Sequence, residues 1–133
     1  MNFFFYGTLR DVDLRTRVMK RRVGERYIIP AQLPGYKCVK VIGRGYPGIL
    51  PDENNHAEGI LVGGVSKREA ARLTEFEGPG YRSEILEVIT RKNTRESAMV
   101  YTPKPVVPLS TEAWDITEWR RRHKRLFIHR RQA

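Results

Sequence analysis

The run Phe3-Phe4-Phe5, followed at once by Tyr6-Gly7-Thr8-Leu9, constrains this chain more than any other feature in it. A strand sends successive side chains to opposite faces, so three consecutive phenylalanines cannot lie on a sheet with one wet face. Residues 2–7, NFFFYG, therefore predict a short strand, apolar on both faces, central in its sheet and ended by glycine. Gly7-Thr8 directly after it marks a place where the chain turns.

The rest of the chain supplies what surrounds that strand. Residues 11–22, DVDLRTRVMKRR, read as a helix with acids in its first turn and bases in its last, the order that suits the helix dipole. β-like segments follow at 25–33, 36–42 and 46–50, punctuated by Pro30, Pro34, Gly35, Gly43, Gly45, Pro47 and Gly48. Residues 57–65, AEGILVGGV, form another strand whose glycines suggest tight curvature or close backbone approach. Ser66 and Glu69 make a capping box, and Ala70, Leu73 and Phe76 then recur at helical spacing until Gly78 stops the helix. Segments 82–90 and 98–102 predict a hairpin across 91–97. Asp115 with Glu118 repeats the capping signature, and Ile116, Trp119, His123, Leu126 and Phe127 line one face of a basic closing helix at about 115–130. Runs of strands with isolated helices inserted predict an α+β fold: a curved mixed β-sheet or small barrel with inserted helices, in a single domain over 1–133.

The totals narrow the class. At 133 residues and 40% hydrophobic, the chain suits one soluble globular domain with a real core. No stretch approaches the ~20 apolar residues of a membrane span. The apolar start has no basic region before it and is too short for a signal peptide. Cys38 is the single cysteine, which excludes an internal disulfide and a multi-cysteine metal site, and makes a reducing cytoplasm the expected location. The net charge of +10 is uneven: residues 119–133 hold seven basic residues and no acid, leaving 18 basic against 15 acidic in 1–118. A basic segment of this kind reads either as the solvated face of an end helix, the commoner case, or as a nucleic-acid contact.

Few catalytic constellations are available. There is no phosphate-binding G-x-x-x-x-G-K-[ST] and no dinucleotide fingerprint; GRGYPG at 43–48 leads into proline rather than a helix and reads as a turn. His56, His123 and His129 are scattered, so neither a metal site nor a cofactor is expected; a Cys38–His56 dyad stays open beside the plainer reading of Cys38 as a small buried hydrophobe. Two stretches stand out. The turn at Tyr6-Gly7-Thr8-Leu9 lies between a buried strand and a helix, where successive N–H groups can converge on an anion, or can form only a strand-to-helix turn. In LTEFEGPGYRSEIL, 73–86, Glu75 and Glu77 flank Phe76 at a helix C-terminus, where the dipole raises a carboxyl pKa toward that of a general base; two solvated surface glutamates are the alternative.

Taken in order, FFFYGTL (3–9), GYPGIL (45–50), EGILVGGV (58–65), LTEFEG (73–78), Tyr81 and MVYT (99–102) resemble the γ-glutamylcyclotransferase-like, or AIG2-like, family. The resemblance implies that family's fold, a substrate pocket formed by Tyr6, Gly7, Thr8 and Leu9 with Tyr81 nearby, and Glu77, the glutamate immediately before glycine, as the proton-transferring residue. Thr74 stands where many members carry an aspartate, and Ser83 where arginine is common. The implied activity is intramolecular cyclisation of a γ-glutamyl amide or amine to 5-oxoproline, with release of an amine and without metal or organic cofactor. Two other classes compete: a catalytically silent small-ligand or nucleic-acid-binding module on the same fold, and acyl transfer from a γ-glutamyl donor to another acceptor.

Overall fold

The structure, a computed structural model, describes residues 1–132, with side chains described through Ile128. Strand β1, Phe3–Phe5, is central: it pairs antiparallel with β3, Pro47–Val62, and parallel with β5, Arg95–Pro103. The order continues from β5 to β4, Tyr81–Thr90, to β2, Ile28–Val41, and then to β6, Leu109–Ala113. Because β2 also pairs with β3, five of the strands close a barrel and β6 is appended to β2. This is the α+β architecture expected of the chain. Gly59 makes the closure possible, since a Cβ there would collide with the Phe5 carbonyl and lie 2.6 Å from the Phe4 ring.

The alternation of β1 separates two cores. Phe4 and Tyr6 point into the barrel with Leu33, Ile49, Leu61, Val88 and Val100. Phe3 and Phe5 point outward, to a second core with Leu9, Leu14, Leu73, Tyr101 and Trp119 that the helices cover. Each ring of the aromatic run is at most 3% exposed, so the run is held from both sides. At the ~1.5–3 kcal/mol gained per fully buried large apolar side chain, this short strand is a major anchor of the fold.

Among the described residues the α-helices are α1, Val12–Met19; α2, Lys67–Glu77; α3, Ile116–Arg122; and α4, Lys124–Gln132. The capping box on α2 is formed, Ser66 and Glu69 each accepting the other's backbone N–H. Glu69 also takes two bonds from Arg21, and these, outweighing its burial, hold its carboxyl down at about 2.

Several elements depart from expectation. The β-like segments between 25 and 65 merge into two long strands, because β2 and β3 pair as one ribbon from Ile28↔Val62 to Lys40↔Pro47, exposed at 53–56 but buried again at Val39, Val41 and Ile49. Residues 52–55 bulge opposite Gly35, with Asp52 accepting from the Asn54 amide and the Asn55 side chain. Strand β6 is too polar to betray itself by periodicity; β2 recruits it, Val39 facing Ala113 and Val41 facing Leu109. Helix α1 stops at Met19 because Lys20 is left-handed, with φ 59°. In place of one closing helix there are two, broken at His123. The break turns Phe127 and Ile128 toward the core and leaves Leu126 63% exposed and His123 exposed, so those two do not share the packed face. Among the described residues no helix is long and apolar enough to cross a membrane.

Candidate active site

After Phe5, Tyr6 continues into the barrel, and its hydroxyl donates to the Tyr101 carbonyl at 2.7 Å. The chain then makes one 3-10 turn, Thr8–Arg10, closed by the amides of Arg10 and Asp11 on the carbonyls of Gly7 and Thr8, both at 3.0 Å. Buried Arg15 reaches back from α1 and donates to the Leu9 and Arg10 carbonyls at 3.0 and 3.1 Å, satisfying the end of the turn. Among the described residues the amides of Gly7, Thr8 and Leu9 donate to no protein acceptor, as the first amides of a helical turn generally do not. Space at Gly7 calls for glycine: a Cβ would fall 2.8 Å from Pro47 Cγ.

A cavity of about 100 Å³ opens beside this turn. Phe4, Phe5, Tyr6, Gly7, Thr8 and Leu9 line one side, and the ribbon brings Tyr46 and Pro47. The last turn of α2 contributes Phe76 and Glu77, the strands Tyr81 and Tyr101, and α4 Phe127. All six residues singled out in the sequence, Tyr6, Gly7, Thr8, Leu9, Glu77 and Tyr81, thus meet at one cavity, although Glu77 follows the turn by some seventy positions. Glu75, two positions earlier on α2, is exposed and does not line it.

The electrostatics are organised around Glu77, the one charged side chain among the described lining residues. Burial first, and then the charge of Glu77, push the Tyr6 and Tyr81 hydroxyls well above the usual tyrosine pKa. Tyr101 is raised by burial and by Glu77 as well, against the opposing bond to Thr74. These phenols are therefore neutral at physiological pH. Each has a fixed partner: Tyr81 donates to the Pro47 carbonyl at 2.8 Å, and the Tyr101 hydroxyl lies 2.8 Å from Thr74 Oγ1.

The sequence reading missed Phe4, Phe5, Tyr46, Pro47, Phe76, Tyr101 and Phe127 as wall residues. Tyr46 and Pro47 lay inside a motif that reads only as a turn, and Phe76 inside a helical periodicity that reads as core. The dyad of Cys38 and His56 does not form: Cys38 Sγ points to the Tyr6 carbonyl at 3.8 Å, while His56 sits on exposed Glu58 at 3.0 Å. Burial also pushes the Cys38 thiol up to about 12. Among the described residues no group of three or more His, Cys, Asp or Glu side chains converges as a metal site would require.

The basic C-terminal segment is partly spent on the body of the protein. Arg120 Nε and Lys124 Nζ lie 2.8 and 2.9 Å from Oδ2 of Asp11, a side chain 2% exposed, and Lys124 reaches Asp13 at 2.7 Å. Asp11 is at the same time the N-cap of α1, accepting from the amides of Asp13 and Leu14.

Comparison with known proteins places the chain by family and fold. The sequence profile of the family described as gamma-glutamyl cyclotransferase, AIG2-like, matches residues 3–121. AIG2-like protein B of Arabidopsis thaliana is 33% identical over 130 residues, which cover 96% of this chain and 73% of that protein. A solution structure of another Arabidopsis thaliana protein superposes with a TM-score of 0.70 at 28% identity, covering 96% of this chain and 85% of that one. A solved gamma-glutamyl cyclotransferase superposes with a TM-score of 0.67 over 83% of this chain and 71% of its own; at 16% identity that likeness speaks to the fold.

Proposed function

We propose that this chain, which belongs to the gamma-glutamyl cyclotransferase, AIG2-like family, cleaves a γ-glutamyl amide or amine by intramolecular cyclisation, giving 5-oxoproline and a free amine. One observation carries the reading: the carboxyl group of Glu77 and the turn Tyr6–Leu9 line the same small cavity, whose other described walls are uncharged. In the reaction, the substrate's α-amino nitrogen attacks its own γ-carbonyl carbon, closing a five-membered ring; the bond from that carbon to the leaving nitrogen then breaks. Both reacting groups belong to one molecule, so the protein's main task is to hold the chain bent, a proximity effect.

An α-ammonium cannot attack until it loses a proton. Glu77 is the lining group able to accept that proton and return one to the departing nitrogen, a contribution of roughly 10²–10⁴-fold. The amides of Gly7, Thr8 and Leu9 are placed to receive the substrate's α-carboxylate or the oxyanion that forms on the γ-carbonyl. Phe76, Tyr46 and Phe127 line the cavity beside the half-buried Glu77, and an apolar wall of this kind strengthens each of these interactions.

The direct test is 5-oxoproline release from a panel of γ-glutamyl amines, γ-glutamyl amino acids and glutathione. Glu77→Gln keeps the side chain's size and is expected to lower turnover at least a hundredfold with the fold intact. Glu75→Gln, altering an exposed side chain, is expected to cost little. Equal turnover by Glu77→Gln and the unaltered chain defeats the assignment, and a product other than 5-oxoproline redirects it to acyl transfer.

A further inference from the structure

The family profile ends at residue 121, yet one wall of the cavity comes from beyond it. Phe127 of α4 faces Phe76 and Tyr46, with ring centroids 5.9 and 6.5 Å away and edge-on geometry. On its other side it meets Trp119 at 5.8 Å, and Trp119 is 1% exposed, so the phenylalanine stands between the core and the cavity. Three residues earlier on the helix, Lys124 reaches Asp11 and Asp13, while Arg120 of α3 binds the same Asp11 oxygen. Residues three apart lie on one side of a helix, so the ionic contact and the aromatic contact hold the same face of α4. Asp11 follows Leu9 by two positions and caps α1; a single buried carboxylate therefore ties the substrate turn to the helix that walls the cavity.

We propose that α4 is a latched wall of the cavity, held shut by Lys124 and Arg120 on Asp11, and that Phe127 sets the bulk of the leaving amine the cavity accepts. The size selection presupposes the cyclisation proposed above; the wall and its latch do not. With about 100 Å³ available, a bent γ-glutamyl group leaves little room, so whatever departs with the amine must pass along the ring of Phe127. Truncating that ring opens the space on the side where Tyr46 and Phe76 remain as apolar surface, and bulkier amines gain contacts there.

Two measurements separate the parts. Turnover of γ-glutamyl methylamide and γ-glutamyl benzylamide is compared in the unaltered chain, Phe127→Leu and Phe127→Ala. The benzyl-to-methyl ratio of kcat/KM is expected to rise at least tenfold in Phe127→Ala, the scale that changes in apolar pockets produce, and less in Phe127→Leu. An unchanged ratio in both variants overturns the size selection. Should Phe127→Ala unfold, seen as fast exchange across β4, Phe127→Leu alone decides.

The latch is read without turnover, by amide hydrogen exchange in Lys124→Met, which keeps the aliphatic stem. The bonded amides of Arg10, Asp11 and Arg15 and those of 74–78 are expected to exchange at least tenfold faster, with 84–90 unchanged. Exchange at these amides equal to that of the unaltered chain overturns the wall and its latch. If the unaltered chain turns over neither substrate, the cyclisation and the size selection fall together while the exchange result still decides the latch.

Discussion

Asp11 carries more of the assembly than any other polar side chain, and its removal is where stability and site geometry meet. Its carboxylate is 2% exposed and accepts from two amides and two cations. Burial alone would raise its pKa, but the bonds from Arg120, Lys124 and the Leu14 amide together hold it below the usual aspartate value. Asp11→Asn retains an oxygen for the cap and removes the charge. Breaking a fully buried pair costs ~3–5 kcal/mol and an exposed one ~0–1. Here the acid is buried while the side chains of Arg120 and Lys124 are 44% and 24% exposed and recover water, so ~2 kcal/mol is expected. Asp11→Ala also loses the cap, adding ~1 kcal/mol. For a chain of this length, ~2 kcal/mol lowers Tm by roughly 8 °C. Urea unfolding followed by the fluorescence of Trp114 and Trp119 measures the loss, with Asp13→Asn, altering an acid 59% exposed, as the control expected to cost under ~1 kcal/mol. The sign with pH follows from the lowered native pKa: the stabilisation is complete above the unfolded value near ~4 and is lost as pH falls through the lower native value. The Asp11→Asn and unaltered curves should therefore converge in acid. An Asp11→Asn midpoint within ~0.5 kcal/mol of the unaltered chain at pH 7, or a difference that widens in acid, refutes the reasoning.

The remaining expectations are narrower. Gly7→Ala places a methyl against Pro47 Cγ, a ring atom with nowhere to swing, so the ribbon must shift; turnover should fall more than tenfold while denaturation shows a loss of only ~1–3 kcal/mol. Glu69→Gln removes a carboxyl held at about 2, so its cost should be full above pH ~4.5 and shrink steadily toward pH 2 in acid-unfolding curves. Cys38→Ala should retain 5-oxoproline release, and native Cys38 should resist iodoacetamide at pH 7.5, because a thiol pushed up to about 12 presents almost no thiolate.

The strand at Phe3–Phe5, the helix opened by Ser66 and the hairpin across 91–97 were legible because local chemistry and tertiary role agree there. The site was legible through two motifs, but only the turn and the carboxylate; their being neighbours followed from resemblance, since nothing local connects positions 7 and 77. Strand β6 and the ribbon were hidden because their stability comes from pairing with β2, a non-local term no window of sequence reports. Helical spacing assigns Phe127 to the core, which is half true: the ring packs on Trp119 and also lines the cavity. Periodicity finds the buried side of a helix and cannot tell a neighbour from a void.

Under the proposed cyclisation, the directions of the fixed hydrogen bonds favour one orientation of the substrate. A phenol owns one proton and two lone pairs, and the protons of Tyr6 and Tyr81 are committed to the carbonyls of Tyr101 and Pro47. What these hydroxyls offer a guest is therefore acceptance, beside a Glu77 that also accepts. At the turn, the amides of Gly7, Thr8 and Leu9 offer donation. A γ-glutamyl group carries a donor, its α-amine, and an acceptor, its α-carboxylate, on the same carbon. Set with the carboxylate toward the turn, it places the amine toward the phenols and Glu77; reversed, it would press a carboxylate against a carboxylate and two occupied hydroxyls. Because the carbonyls that hold the phenols belong to β5 and β3, this polarity is set by the barrel itself, and dipoles fixed in advance are those that contribute most to catalysis.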